Sequence, residues 1–190
     1  MNTQQIKKGK LFVISGPSGV GKGTVAKKLL ARDSNLIWSI SSTTRPPRTG
    51  EKNGKDYFFF SAETFDQKIA QGDFLEWAIV HGYKYGTEKA PLEKLLNLGK
   101  KVLLEIDVQG AQQIKESLKA CILIFLIPPS LEELINRLKG RNSETEETLK
   151  TRLETAKKEL EQKENYDYIV VNNNLNDTIT HIEKIIKDNL

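Results

Sequence analysis

Short apolar runs alternate along the chain with longer segments in which apolar residues recur every three or four positions. Apolar runs of about four to eight residues are typical of buried strands, and strands that alternate with helices are typical of a parallel sheet. Five such runs predict strands at residues 11–15, 37–41, 102–107, 122–127 and 168–171. The pattern therefore predicts an α/β fold with a parallel five-stranded core sheet flanked by helices.

Helical periodicity fills the gaps between these strands. Two of the predicted helices open with the spacing of a capping box, at Ser130 with Glu133 and at Ser143 with Glu146. Another is followed by Gly99, a residue type that commonly ends helices. The predicted helices span residues 22–30, 88–98, 130–140, 143–160 and 175–186.

Residues 41–87 break this rhythm. They carry most of the aromatic side chains, and their polarity alternates in the manner of antiparallel strands at residues 57–60 and 74–80. A short helix around Phe65 and Ile69 is predicted between these two strands. We interpret the segment as a small lobe inserted into the α/β core.

Composition narrows the class of protein. The chain has 190 residues, 38% of them hydrophobic and 28% charged, which is ordinary for one compact domain. The longest apolar run, residues 121–127, is far short of the roughly 20 residues that span a bilayer. The net charge of +4 is spread along the chain, so we expect neither a nucleic-acid nor a membrane partner. With a polar N-terminus and one cysteine, Cys121, a cytoplasmic location is expected.

A glycine-rich segment lies between the first predicted strand and the first predicted helix. Its spacing, G-x-x-x-x-G-K, is that of a phosphate-binding loop in the strand–loop–helix context that the loop requires. Glycines let backbone N–H groups approach phosphate oxygens, the helix N-terminus adds partial positive charge, and the lysine reaches the β- and γ-phosphates. The predicted ATP-binding residues of this loop are Gly16, Pro17, Ser18, Gly19, Val20, Gly21, Lys22, Gly23 and Thr24.

One position departs from the usual loop. Gly23 stands directly after the lysine, where a Ser or Thr hydroxyl normally reaches Mg²⁺, and Thr24 comes next. The ending G-K-G-T is familiar from nucleoside-monophosphate kinases. A GTPase is the competing class, because residues 107–110 fit the motif D-x-x-G. The guanine-reading motif N-K-x-D of GTPases, however, occurs nowhere in the chain.

Further segments resemble the guanylate kinase family, in the family's order and from about Lys10 to about Leu175. They are residues 41–51, 53–57, 76–78, 83–87, 107–110, 127–130 and 137–141. The resemblance implies an enzyme that transfers the γ-phosphoryl group of ATP to GMP, with Mg²⁺ as cofactor and with dGMP left open as a second acceptor. It also implies a core at residues 1–40, 88–129 and 156–190, a GMP-binding lobe at 41–87 and an Arg-bearing helical lid at 130–155.

The chemistry of the predicted lobe supports GMP. Arg45 and Arg48 lie three residues apart on a proline-stiffened loop, and two guanidinium groups suit a phosphate dianion. Glu76 can accept the two adjacent donors of guanine, which adenine lacks. The resemblance implies that the GMP-binding residues are Ser41, Arg45, Arg48, Tyr57, Glu76, Tyr85, Thr87 and Asp107.

Acidic and basic residues complete the predicted centre. In phosphate-loop enzymes a carboxylate at a strand end holds Mg²⁺ or its waters, so Glu105 and Thr24 are the metal candidates, Glu105 through water. The resemblance implies that Asp107 lies between the nucleotides, that lid arginines stabilise the transferred phosphoryl group and that Asn172 contacts adenine. The predicted catalytic residues are Lys22, Arg45, Asp107, Arg137, Arg141 and Arg152.

Two alternatives to this function stay open at the level of sequence. A non-catalytic guanylate-kinase-like scaffold module would resemble the enzyme but typically lacks an intact phosphate loop, whereas Lys22 and the loop glycines are intact here. A kinase for another monophosphate such as AMP shares G-K-G-T, but Glu76 and the Arg45–Arg48 segment favour GMP. The sequence does not determine the oligomeric state.

Overall fold

A computed structural model describes residues 8–118, 120–139 and 146–190 of the chain. Strands β1 to β9 span Lys10–Ser15, Leu36–Trp38, Ser42–Thr43, Phe58–Phe59, Phe74–Val80, Tyr83–Glu88, Lys101–Glu105, Cys121–Ile127 and Tyr168–Val171. Helices α1 to α7 span Lys22–Arg32, Ala62–Gln71, Lys89–Asn97, Val108–Ser117, Leu131–Lys139, Glu146–Leu160 and Leu175–Asp188, and a 3-10 helix spans Glu161–Asn165.

The predicted parallel sheet is confirmed, with strand order β2-β7-β1-β8-β9. The middle residues of its three central strands, at positions 11–14, 102–104 and 123–126, are apolar and buried, which is expected where helices cover both faces. Two strands are shorter than predicted. β2 ends at Trp38 rather than at residue 41, because its pairing with β7 ends with the Ser39 N–H on the Leu103 carbonyl. β7 ends at Glu105, two residues before Asp107.

The lobe residues form a second sheet of strand order β4-β3-β6-β5. β5 and β6 are antiparallel and are joined by His81 and Gly82, both at positive φ, as a two-residue hairpin turn requires. The prediction of an antiparallel strand at residues 57–60 was wrong in direction, since β4 pairs with β3 in parallel. A tight hairpin joins strands that must be antiparallel. The connection between β3 and β4 is long, so the chain can return to the same end of the sheet and pair in parallel.

The predicted helices are confirmed where the structure describes them. Ser130 caps α5 by accepting the Glu133 N–H at 3.1 Å, and Gly99 follows α3 at φ 72°. The predicted helix end at Gly140 and the capping residue Ser143 lie outside the described residues. One helix, α4, was not predicted.

Helices α5 and α6 pack against each other. Leu134 and Leu138 of α5 and Ala156 of α6 form a buried apolar cluster, to which Leu149 and Leu153 add partly buried side chains. The apolar side chains of α6, spaced three or four residues apart, therefore form a stripe that faces α5. None of the described helices combines the length and hydropathy needed to cross a membrane.

Internal contacts divide the chain into two compact units. Unit 1 contains the second sheet and draws on residues 1–11, 35–104 and 109–121. Unit 2 contains the phosphate-binding loop and draws on residues 12–34, 105–108 and 122–190. The finer division into core, GMP-binding lobe and lid stays a prediction.

Candidate nucleotide-binding sites

The glycine-rich segment of unit 2 has the backbone of a phosphate-binding loop. It leaves the end of β1 and enters α1 at Lys22, with Gly16, Gly19 and Gly21 all at positive φ. A Cβ atom at Gly16 would lie 2.4 Å from the Leu126 carbonyl oxygen, so only glycine fits there. Glycine is therefore required at this point of the loop by the close approach of the Leu126 backbone, and the predicted approach to phosphate stays a prediction.

The ammonium group of Lys22 is folded over this loop. Its Nζ atom donates hydrogen bonds to the carbonyl oxygens of Gly16 at 2.6 Å and of Pro17 at 3.3 Å. These contacts hold the positive charge against the first two residues of the loop. The position suits a cation that neutralises phosphate oxygens.

Two side chains from other elements hold the loop at Val20. The Val20 carbonyl accepts from Asn172 Nδ2 at 2.7 Å and from Arg137 Nη1 at 3.3 Å. Arg137 Nη2 also donates to the Asn172 carbonyl at 3.1 Å, and Arg137 Nε donates to Glu133 at 2.8 Å. Thr178 Oγ1 donates to Asn172 Oδ1 at 3.1 Å, which orients the buried amide. The loop shape is therefore fixed by residues more than a hundred positions away.

Carboxylates lie around the same loop. A Cβ atom at Gly23 would lie 3.3 Å from Glu105 Oε2, so the absent side chain at Gly23 leaves room for this carboxylate. Glu159 Oε2 accepts the Ser18 backbone N–H at 3.1 Å.

Burial is the main cause that raises the pKa of Tyr166 to about 12, and the charges of Asp107 and Glu159 act in the same direction. Among the described residues, no three His, Cys, Asp or Glu side chains are grouped to hold a metal ion.

Unit 1 buries a carboxylate in its second sheet. Glu76 lies on β5 and is only 3% exposed, and Thr87 on β6 donates its hydroxyl to Glu76 Oε1 at 2.6 Å. An ionised carboxylate in such surroundings is costly unless donors satisfy it. The sheet therefore presents an acceptor group that is already oriented by a hydroxyl.

Arg45 lies just after β3 and is 8% exposed. It meets Glu51 end-on, with Nη1 at 2.8 Å and Nη2 at 2.9 Å from the two carboxylate oxygens, and the Arg48 backbone N–H adds a third bond to Glu51 at 2.7 Å. Arg45 is the main cause that lowers the pKa of Glu51. The Nε atom of Arg45 is buried and has no hydrogen-bond partner in the described part of the chain.

Aromatic rings surround the same guanidinium. The Arg45 Cζ atom lies 5.3 Å from the centroid of the Tyr57 ring and 5.8 Å from that of Phe59. Tyr85 meets the Tyr57 ring edge-on at 6.0 Å. Arg45 is thus held from one side by a carboxylate and flanked by rings.

Gln113 of α4 completes the edge of the second sheet. Its side-chain amide accepts the Trp77 backbone N–H at 3.1 Å and donates to the Trp77 carbonyl at 2.8 Å. Trp77 follows Glu76 directly along β5, which is the edge strand. The amide pair therefore fixes the strand next to the buried carboxylate.

Comparison with known proteins assigns the family. A family model described as Guanylate kinase matches residues 8–189. The chain belongs to the guanylate kinase family. The family assignment makes it a phosphotransferase, so the predicted class of enzyme is confirmed and the GTPase alternative is set aside.

Individual relatives agree with this assignment. The chain is 53% identical over 181 residues to "Guanylate kinase" of Clostridium tetani, covering 95% of this chain and 86% of that protein. It is 46% identical over 180 residues to "Guanylate kinase" of Thermotoga maritima, covering 95% and 87%. The crystal structure of guanylate kinase from Anaplasma phagocytophilum matches with a TM-score of 0.80 and 37% identity, covering 96% of this chain and 86% of that chain. The predicted fold class is therefore confirmed as well.

The structure groups some of the predicted site residues of this guanylate kinase family member more closely than others. Arg45 and Tyr57, like Glu76 and Thr87, are direct neighbours, and Ser41 is buried just before β3. Three other predicted site residues, Thr24, Arg48 and Arg152, are at least partly exposed, and Arg141 lies outside the described residues.

Three functional contacts were missed by sequence reasoning: those of Glu51, Gln113 and Glu159. Glu51 lay inside a quoted motif, so a carboxylate six residues after Arg45 was a usable signal. Gln113 and Glu159 act on residues 36 and 141 positions away, and no local pattern announces such contacts.

Proposed function

We propose that the chain transfers the γ-phosphoryl group of ATP to GMP, giving ADP and GDP. The phosphate-binding loop of unit 2 would bind ATP, and the second sheet of unit 1 would bind GMP. The observation that carries this choice of acceptor is Glu76, a carboxylate that is 3% exposed and hydrogen-bonded to Thr87.

Glu76 suits guanine because an ionised carboxylate only accepts hydrogen bonds. Guanine offers N1–H and N2–H₂ side by side, while adenine offers an N1 acceptor at the corresponding edge. An adenine placed there would leave a buried charge facing a lone pair, which is a strong ground for rejection. Thr87 holds one carboxylate oxygen at 2.6 Å and so fixes the direction of the group. Ser41, buried near the start of β3, would add a donor to guanine O6.

Arg45 suits the phosphate of GMP because its guanidinium group is only partly engaged within the protein. The Nη1 and Nη2 atoms bind Glu51, and the buried Nε edge is left with an unpaired donor. A buried donor without a partner is costly, and a phosphate oxygen would satisfy it. Tyr57, Tyr85 and the exposed guanidinium of Arg48 would supply the remaining donors.

The loop of unit 2 would hold the triphosphate. Backbone N–H groups of the loop that are not already bonded within it and the Lys22 ammonium would bind its oxygens, and Asn172 and Arg137 hold the loop in shape. Phosphoryl transfer depends mainly on positioning and on neutralising charge at the equatorial oxygens. We assign this neutralisation to Lys22 with Arg137, Arg141 and Arg152. The GMP phosphate is already an anionic nucleophile, so no general base is required.

The residues around Gly23 fit a magnesium ion that accompanies ATP. Glu105 would supply carboxylate oxygens, through water, and Thr24 a hydroxyl, which are donors that Mg²⁺ prefers, and Gly23 leaves space beside Glu105. When bound, the ion would supply positive charge that neutralises the phosphate groups. We further propose that the reaction serves purine nucleotide metabolism in the cytoplasm.

A coupled assay of ADP release tests the proposal. GMP, AMP, CMP and UMP would be compared at equal concentrations with Mg·ATP as donor. We expect kcat/KM for GMP to exceed that for AMP by roughly 10⁴-fold. Comparable values for GMP and AMP would contradict the assignment of Glu76.

A further inference from the structure

Glu159 in the last turn of α6 reaches the phosphate-binding loop. Its Oε2 atom accepts the backbone N–H of Ser18 at 3.1 Å, across 141 positions of sequence. Ser18 is the third residue of the loop, between Gly16 and Gly19, where the backbone turns to present its N–H groups. A side-chain anion therefore occupies one of the backbone N–H groups of the loop.

The surroundings of Glu159 show that this carboxylate sits in an anion-binding environment. Burial raises its pKa, while the positive charge of Lys22 and the Ser18 N–H lower it, and the charge of Asp107 raises it. A lysine ammonium and backbone N–H groups are also the features that attract a phosphate group to such a loop. Two anions cannot both accept one N–H at full strength, and they repel each other at short distance.

We propose that Glu159 competes with the triphosphate of ATP for the Ser18 amide and thereby weakens ATP binding. The inference rests on the proposed function of the loop. Glu159 also shares helix α6 with Arg152, seven residues or about two turns earlier, so both lie on one face of the helix. If phosphate displaces the Glu159 carboxylate, the C-terminal end of α6 loses its hydrogen bond to the loop. ATP binding would therefore affect the position of α6.

A purely structural role predicts the opposite effect on affinity. If Glu159 only supported the loop, its removal would loosen the Ser18 backbone and weaken ATP binding. If Glu159 competes, its removal strengthens ATP binding. The direction of the change in Kd therefore separates the two roles.

The test is calorimetric titration of the full chain with Mg·ATP in the absence of GMP. Glu159→Gln removes the charge and keeps the shape, and Glu159→Ala removes the side chain. Glu154→Gln is the matched control, because Glu154 is exposed on the same helix and the change in net charge is identical. Thermal unfolding confirms that each variant is folded.

We expect the Kd for Mg·ATP to fall about tenfold in both Glu159 variants, the size of one charge-assisted hydrogen bond, and to stay within about twofold in Glu154→Gln. A Kd that is unchanged or higher in the folded Glu159 variants would overturn the proposal. The wild-type assay with GMP separates this failure from that of the proposed function. A wild-type chain that phosphorylates GMP while Glu159→Gln binds ATP unchanged would overturn only the competition.

Discussion

Arg45 and Glu51 form an end-on pair in which both carboxylate oxygens are bound, at 2.8 and 2.9 Å. The same carboxylate accepts the Arg48 backbone N–H, so it closes the proline-containing loop between the two arginines. Because Nη1 and Nη2 are engaged, the buried Nε edge of Arg45 is the part that remains for a phosphate. Glu51 therefore acts by orienting Arg45.

Replacement of Glu51 tests this orientation through pH. Arg45 is the main cause that lowers the pKa of Glu51 below its ordinary value of 4.5. The ion pair therefore stabilises the fold fully above pH 4.5, and this stabilisation is lost as the pH falls through the lowered pKa of the folded state. Glu51→Gln should lower the free energy of unfolding by about 1 kcal/mol at pH 7 and by progressively less below pH 4.5. The KM for GMP should also rise in Glu51→Gln, because Arg45 loses the carboxylate that orients it. Urea unfolding at several pH values measures this, with the exposed Glu93→Gln as control; a pH-independent difference would contradict the pairing.

Asn172 gives a second prediction, with its neighbour as control. Asn172→Ala removes the 2.7 Å bond to the Val20 carbonyl and leaves Thr178 without one acceptor. The free energy of unfolding should fall by about 1–3 kcal/mol, and the KM for ATP should rise severalfold. The adjacent Asn173 is exposed, so Asn173→Ala should change neither. Equal effects in the two variants would show that Asn172 does not hold the loop.

Gly23 gives a third prediction. A Cβ atom there would lie 3.3 Å from Glu105 Oε2, which is close enough to displace the carboxylate. Gly23→Ala and Glu105→Gln should each lower kcat, and the double variant should be little worse than the worse single one, because both act through one group. If the fold-loss in kcat of the double variant equals the product of the two single fold-losses, Gly23 does not act through Glu105.

Local patterns predicted most of the fold but not all of it. The core strands and the capped helices carry their own signals, such as the Ser130 cap and the apolar stripe that continues to Ala156. α4 carries a weak signal, because Gly110 interrupts it and it is short. β3 and β4 have two residues each, too few for an alternation, and their direction depends on pairing.

The candidate sites divide in the same way. The loop glycines, Arg45 and Glu76 could be proposed from the sequence because the chemistry requires those residue types in fixed order. The contacts of Asn172, Gln113 and Glu159 could not be found, because each joins segments far apart in the chain. Such contacts become visible only when the topology is known.

Gln113 gives a fourth prediction. Gln113→Ala removes both hydrogen bonds to the Trp77 backbone at the sheet edge, one residue from Glu76. The free energy of unfolding should fall by about 1–2 kcal/mol, and the KM for GMP should rise more than the KM for ATP. Gln112 is exposed on the same helix, where its amide donates to Glu116 at 3.0 Å, so Gln112→Ala is the control. An equal rise in the KM for GMP and the KM for ATP would contradict a local role of Gln113 at the sheet edge.

The most direct test of guanine selection by the buried carboxylate of Glu76 is a measurement of kcat/KM for GMP and AMP in wild type and Glu76→Gln. The amide offers one acceptor and sets a donor against one guanine donor, so GMP should lose roughly 2–4 kcal/mol of transition-state binding. The KM for ATP should hardly change. If the GMP-to-AMP ratio instead stays within about threefold of wild type, less than 1 kcal/mol, then Glu76 does not read guanine.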